Sequence, residues 1–165
     1  MKLSFNTHID KLSYLNTFYL EVPAAIVEKA GGLASKVRLW CEVNNTLRFQ
    51  CGFMALGEGK AYISMSSKRM KEIGVGYGDN VSVILTEDKS EYGVEFPVEL
   101  SELFKQDSEG KERFDNLTPG KQRYVLNYIS TVKSSPLRIE RALLLITNLK
   151  TLPRGKENFR EMLGK

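Results

Sequence analysis

The chain has 165 residues with 42% hydrophobic and 27% charged side chains, a balance that fits one ordinary domain or two small ones and argues against disorder. Its longest apolar run, 142–146, is five residues, far short of the roughly 18–20 needed to cross a bilayer, so no membrane insertion is expected. The formal charge of +4 is uneven: residues 111–165 hold 12 Lys+Arg against 5 Asp+Glu, and residues 1–110 hold 12 against 15, a split that suggests two modules with different surfaces.

The N-terminal MKLSFNTHID lacks the apolar segment of a secretory signal, which predicts a cytoplasmic location. Cys41 and Cys51 are too few for a disulfide framework or a four-thiolate zinc site, and the single His8 excludes a zinc site built from histidines. No metal, no cofactor and no catalytic residues are expected.

From residue 5 to about 95 the dominant period is two. VPAAIVEKAGG reads as a short helix started near Pro23 and stopped by Gly31. In KVRLWCEVNNTLRFQCGFM, Val37, Leu39, Cys41 and Val43 alternate with polar positions, as do Leu47, Phe49, Cys51 and Phe53. Asn44-Asn45 between them tolerates positive φ, so a hairpin is predicted with both thiols on its apolar face. After a GEG turn at 57–59, Ala61, Ile63 and Met65 form another strand. Ser66 or Ser67 caps a short helix, SKRMKEIG, ended by Gly74 in the left-handed region. Gly78-Asp79 then turns into a strand with Val81, Val83 and Leu85 inward. The run GVGYG has a helix before it and a strand after it, the reverse of a dinucleotide-binding loop, and therefore reads as a turn. Short strands, glycine turns and two helices predict a small barrel.

Pro97 closes this region, and the helical period starts. VELSELFKQD presents Leu100, Leu103 and Phe104; SEGKERFDNL presents Phe114 and Leu117. Thr118-Pro119 starts a longer helix with Val125, Tyr128, Ile129 and Val132 on its inner face, and Ser134-Ser135-Pro136 starts the next. That helix runs to about Lys150 with Ile139, Ala142, Leu143, Leu145, Ile146 and Leu149 inward. The predicted fold is therefore α+β: a small N-terminal β-barrel over residues 1–95, then a bundle of three to four short helices over 96–165.

One position breaks the helical pattern. Arg138 falls in the arc of Leu145 and Leu149, and in a first helical turn, where the macrodipole disfavours a cation by about 0.3–1 kcal/mol. Two readings follow: a guanidinium paired with a glutamate of the same module, or an anion site formed by helix N-terminal amides with Arg138, Arg141 and Lys133. Lys121, Arg123 and Tyr128 complete the candidate anion- or partner-binding set.

Two family resemblances accompany these readings. VP at 22–23, VR at 37–38, Asn44, Gly52, GEGKAY, KRMKEIG and the GD-V-V pattern at 78–83 resemble an N-terminal domain of unknown function grouped with AbrB/MazE-like double-split barrels, over residues 5–90. Asn45 stands where that family commonly has glycine. The run F-x-x-L-T-P-G-K-x-R-Y-x-x-x-Y-I-x-x-x-K followed by R-x-x-R-A resembles the YdeI/OmpD-associated family, named for bacteriocin protection, over residues 97–160. It rests on Phe114, Leu117, Lys121, Arg123, Tyr124, Tyr128, Ile129, Lys133, Arg138 and Arg141. Val132 and Leu137 stand where alanine and threonine are frequent. The resemblance implies a bacterial cytosolic protein linked to tolerance of antimicrobial peptides, with no established enzyme activity.

The expected function is thus a non-enzymatic protection-type protein whose basic helical module binds an anionic ligand or protein partner. The alternative is a nucleic-acid-binding protein of regulator type. The acidic barrel half and the apolar run 143–146 in the second long helix both weigh against that alternative. An enzyme is disfavoured because no nucleophile lies beside a base in the sequence.

Overall fold

The computed structural model describes residues 1–165. The chain divides into two compact units, Met1–Lys89 and Ser90–Lys165. The first is an antiparallel half-barrel and the second is helical, the α+β arrangement expected from the periodicity.

The half-barrel has seven strands: β1 (Lys2–Lys11), β2 (Phe18–Val22), β3 (Arg38–Val43), β4 (Leu47–Gly52), β5 (Met54–Gly57), β6 (Lys60–Met65) and β7 (Asn80–Glu87). Their order in the sheet is β4-β3-β7-β1-β2-β6-β5, every pair antiparallel. The long β1 bends the sheet. Its residues 2–8 pair with β7, and Ile9, Asp10 and Lys11 pair with β2. The two edge strands, β4 and β5, are joined through Phe53 alone, so the chain itself connects the open edges.

The predicted hairpin is β3–β4, with Val43 opposite Leu47. Asn44 and Asn45 adopt φ of 51° and 53°, a left-handed pair that asparagine tolerates better than most residues. Asn44 Oδ1 also accepts from the Ser82 amide at 2.9 Å, tying the turn to β7. Leu39, Cys41 and Val43 are fully buried and Phe49 and Cys51 nearly so, while Arg48 on the outer face lies over the Trp40 ring at 4.4 Å. Two helices flank the sheet. Pro23 precedes α1 (Ala24–Lys29), and Ser66 caps α2 (Ser67–Ile73), its hydroxyl accepting from the Arg69 amide, with Gly74 left-handed at the end. In the glycine-rich loop that follows, the Gly76 amide is held by Asp79 Oδ2 at 2.7 Å.

The helical unit contains α3 (Val98–Gln106), α4 (Ser108–Asp115), α5 (Pro119–Ser130), α6 (Ser135–Thr151) and the single-turn α7 (Phe159–Met162). Helix α6 is the centre, packing against the other four. Ala142, Leu145, Ile146 and Leu149 form its buried stripe, matched by Leu100, Phe104, Phe114, Val125, Leu126 and Ile129. Tyr92 and Phe96 join Phe104 and Phe114 in an aromatic cluster.

Three expectations are corrected here. Ile139 and Leu143, placed inward by periodicity, are 47% and 48% exposed, because they lie at the edge of the contact with α3. On α5 the inner face is centred one position differently: Leu126 is buried and Val132, beyond the helix end, is half-buried. The charge split does not separate the units. Residues 1–89 hold 11 Lys+Arg against 9 Asp+Glu and residues 90–165 hold 13 against 11, so each carries +2. The contrast lies inside the helical unit, where 90–110 holds 1 against 6 and 111–165 holds 12 against 5.

Candidate functional site

The corner between α5 and α6 is set by local start and stop chemistry. Thr118 caps α5, with Pro119 at its first position and the hydroxyl accepting from the Lys121 amide. Helix α5 ends at Ser130, and four residues later Ser134 caps α6 with its hydroxyl on the Leu137 amide. A helix end leaves carbonyls without intrahelical partners. In this corner two arginines of α6 take them.

Arg138 Nε donates to the Val132 carbonyl at 2.8 Å and its Nη2 reaches the Ser130 carbonyl at 3.5 Å. Arg141 Nη1 donates to the Tyr128 carbonyl at 2.8 Å and to Thr131 Oγ1 at 2.7 Å, and its guanidinium lies 4.2 Å above the Tyr128 ring. This resolves the local conflict seen in the sequence. A cation in the first turn of α6 opposes that helix's dipole, but the same cation lies at the C-terminus of α5, where the dipole favours it.

Arg138 also faces Glu99 of α3, Nη1 to Oε2 at 3.9 Å. The Glu99 carboxyl is held below the usual glutamate range, first by its own backbone N–H and then by Ser135 and Arg138, against the opposing effect of burial. A glutamate partner within the same module is therefore present.

The other candidates are differently placed. Lys133 is exposed in the turn, and Lys121 and Arg123 are half-buried on α5. The side chains of these three enter none of the ion pairs that bind the unit. Tyr128 is half-buried against Phe159, ring centroids 5.7 Å apart, and Tyr124 packs on the same ring while staying 64% exposed. The structure thus joins Arg138, Arg141 and Tyr128 in one latch and leaves Lys121, Arg123, Lys133 and Tyr124 around it.

Residues 93–151 match the family model described as bacteriocin-protection, YdeI or OmpD-associated. Residues 5–85 match that of a domain of unknown function (DUF1905). The chain therefore has a two-domain arrangement, a domain of unknown function followed by a domain of the bacteriocin-protection, YdeI or OmpD-associated type. None of the curated proteins compared with it matches. All six candidate residues lie within the stretch matched to the bacteriocin-protection model.

Sequence reasoning overlooked one buried polar group of this family domain. Arg113 is 5% exposed and donates to the carbonyls of Lys150 (3.0 Å) and Leu152 (2.6 Å), with Glu157 Oε1 at 3.4 Å. It caps α6 as Arg138 and Arg141 cap α5. Its only sequence signal was its position beside Phe114, one residue off the apolar stripe of a short helix. No three histidine, cysteine or carboxylate side chains cluster so as to hold a metal ion, and no helix is long and apolar enough to cross a membrane.

Proposed function

We propose that the helical domain is a non-catalytic binding module of the bacteriocin-protection type that takes an anionic partner on the face formed by α5 and the turn behind it. The observation that carries this reading is electrostatic. Residues 116–139 contain no Asp or Glu, so Lys121, Arg123 and Lys133 lie on a stretch of chain without carboxylates of its own. Tyr124, exposed between them on α5, adds an amphipathic contact of the kind enriched in interfaces. Arg138 and Arg141 have donors committed to carbonyls, so their part is to hold the turn that presents Lys133 and to add to the local potential.

Glu99, Asp107, Glu112 and Glu157 are all held below the ordinary range by hydrogen-bond donors of the domain, which keeps them anionic and ties them to its internal contacts. A cytoplasmic setting fits the two buried cysteines, both free thiols.

The test is fluorescence anisotropy with labelled poly-L-glutamate, and with a 20-base-pair duplex, at low and high salt. The expected result is salt-sensitive binding of the polyanionic peptide that Lys121→Glu with Lys133→Glu weakens by about tenfold or more. Binding that survives this charge reversal, or none at all, sinks the proposal. A marked preference for the duplex would instead support nucleic acid.

A further inference from the structure

The half-barrel carries a cleft that the reading above does not use. It opens between β4, β6 and α2, with a volume of about 270 Å³. Phe49, Phe53 and Ile63 supply apolar walls, and Arg38, Gln50 and Arg69 supply the polar groups, with Ser64 at the exposed mouth. No Asp or Glu lines it. Asp88 holds the Gln50 amide, Nε2 to Oδ2 at 2.9 Å, from outside the lining.

Arg69 is the unusual member. It projects from α2 over the face of Phe49, its guanidinium carbon 3.8 Å from the ring centroid, and it enters none of the ion pairs of the molecule. Burial, the largest effect, holds its pKa below the ordinary arginine value, while Glu72 on the same helix opposes that electrostatically without touching it. A guanidinium partly withdrawn from water with no carboxylate in hydrogen-bond contact is costly, and a carboxylate delivered to it recovers part of that cost. Elsewhere Arg113 and Arg154 receive an internal carboxylate, Glu157 and Glu112. An apolar cleft with a few convergent polar groups is the usual form of a small-molecule site.

We propose that this cleft binds a small organic carboxylate, its apolar body between Phe49, Phe53 and Ile63 and its carboxylate on Arg69. The bidentate fork of the guanidinium fits the two carboxylate oxygens, and the Phe49 ring fixes the plane of that fork. The site lies in the half-barrel and is independent of the basic face of α5.

The experiment is amide NMR of the full chain titrated with sodium hexanoate, using sodium acetate, 1-hexanol and hexylamine as comparisons. Hexanoate is expected to shift the amides of residues 49–53 and 69, and to bind about tenfold or more tightly than hexanol, as a charge-assisted contact requires. Arg69→Met should lose that preference, and Arg69→Lys should retain part of it. Ser64→Tyr, an exposed change at the mouth, should block binding without touching the core, so the test survives if Arg69→Met misfolds. Equal binding of hexanol and hexanoate, unaltered affinity in folded Arg69→Met, or no shifts at millimolar ligand would each overturn the site. Shifts confined to α5 would also overturn it, and would show the anion reading the basic face instead.

Discussion

Replacing Arg113 with methionine removes the most deeply buried cation of the helical unit while keeping most of its volume. Three contacts are lost: to the Lys150 carbonyl at 3.0 Å, the Leu152 carbonyl at 2.6 Å and Glu157 Oε1 at 3.4 Å. Each carbonyl left buried without a donor costs about 1–3 kcal/mol. Glu157, 8% exposed, is left as a carboxylate without its counter-charge, and breaking a buried pair from one side costs about 3–5 kcal/mol. These losses overlap, because one guanidinium serves all three, so the expected total is about 3–5 kcal/mol rather than their sum. That is a large share of the roughly 5–15 kcal/mol that holds a typical domain. Urea unfolding followed by circular dichroism at 222 nm reads the helices, while fluorescence of Trp40, the only tryptophan, reads the half-barrel separately. With an m-value of about 1–3 kcal/mol/M, the helical midpoint should fall by about 1–5 M. Adding Glu157→Gln should restore part of the loss by removing the stranded charge. A change below about 1 kcal/mol for Arg113→Met, or a double variant worse than the two single losses added, would refute the reasoning.

Gly110→Ala tests packing against propensity. Alanine is favoured over glycine in a helix by about 1 kcal/mol, but a Cβ at Gly110 would collide with Ile146 Cγ2 and approach Asp107 Oδ2 to 2.7 Å. Overpacking of that kind costs about 1–3 kcal/mol, so net destabilisation is expected in thermal unfolding, and a raised midpoint would show the contact to be soft. Acid stability is the other test. Asp107 is held low chiefly by Lys150, Glu112 chiefly by Arg154, and Glu99 and Glu157 chiefly by their own backbone amides. Because these folded values are depressed, their contribution is fully present above the ordinary values of 4.5 for glutamate and 3.8 for aspartate. It is lost as pH falls through the folded values. The urea midpoint by circular dichroism should therefore hold from pH 7 to 5 and drop by pH 3; equal midpoints at pH 7 and 3 would contradict this.

Much of the half-barrel was legible because a strand writes its burial with period two. Leu39, Cys41 and Val43 faced inward as their alternation required, and Asn44-Asn45 turned in the left-handed region. Caps were equally plain, since Ser66, Thr118 and Ser134 each hold an amide three residues on. Helix faces were read less well. The apolar arc of α6 is wider than the surface its neighbours cover, so Ile139 and Leu143 had inward character without an inward place.

The candidate site was half legible. The oddity of Arg138 could be detected from its arc, and so could the option of a glutamate partner. That the partner is Glu99, 39 residues earlier, could not, because the pairing depends on how α3 lies along α6. Arg69 gave no signal at all. Beside Lys68 in a short helix it reads as an ordinary surface charge, and only the packing of α2 over β4 sets it on Phe49.

What the sequence determined by itself was local: alternation, turns, helix starts, and a stretch from 116 to 139 that has cations and no carboxylates. These follow from interactions between residues a few positions apart, so they survive without knowledge of the fold. Tertiary structure alone decided which cations are committed and which face outward. A guanidinium's role depends on what lies within about 4 Å of it, and those neighbours come from distant parts of the chain. Arg113, Arg138 and Arg141 are bound to carbonyls that other elements bring to them, while Lys121, Arg123 and Lys133 meet none.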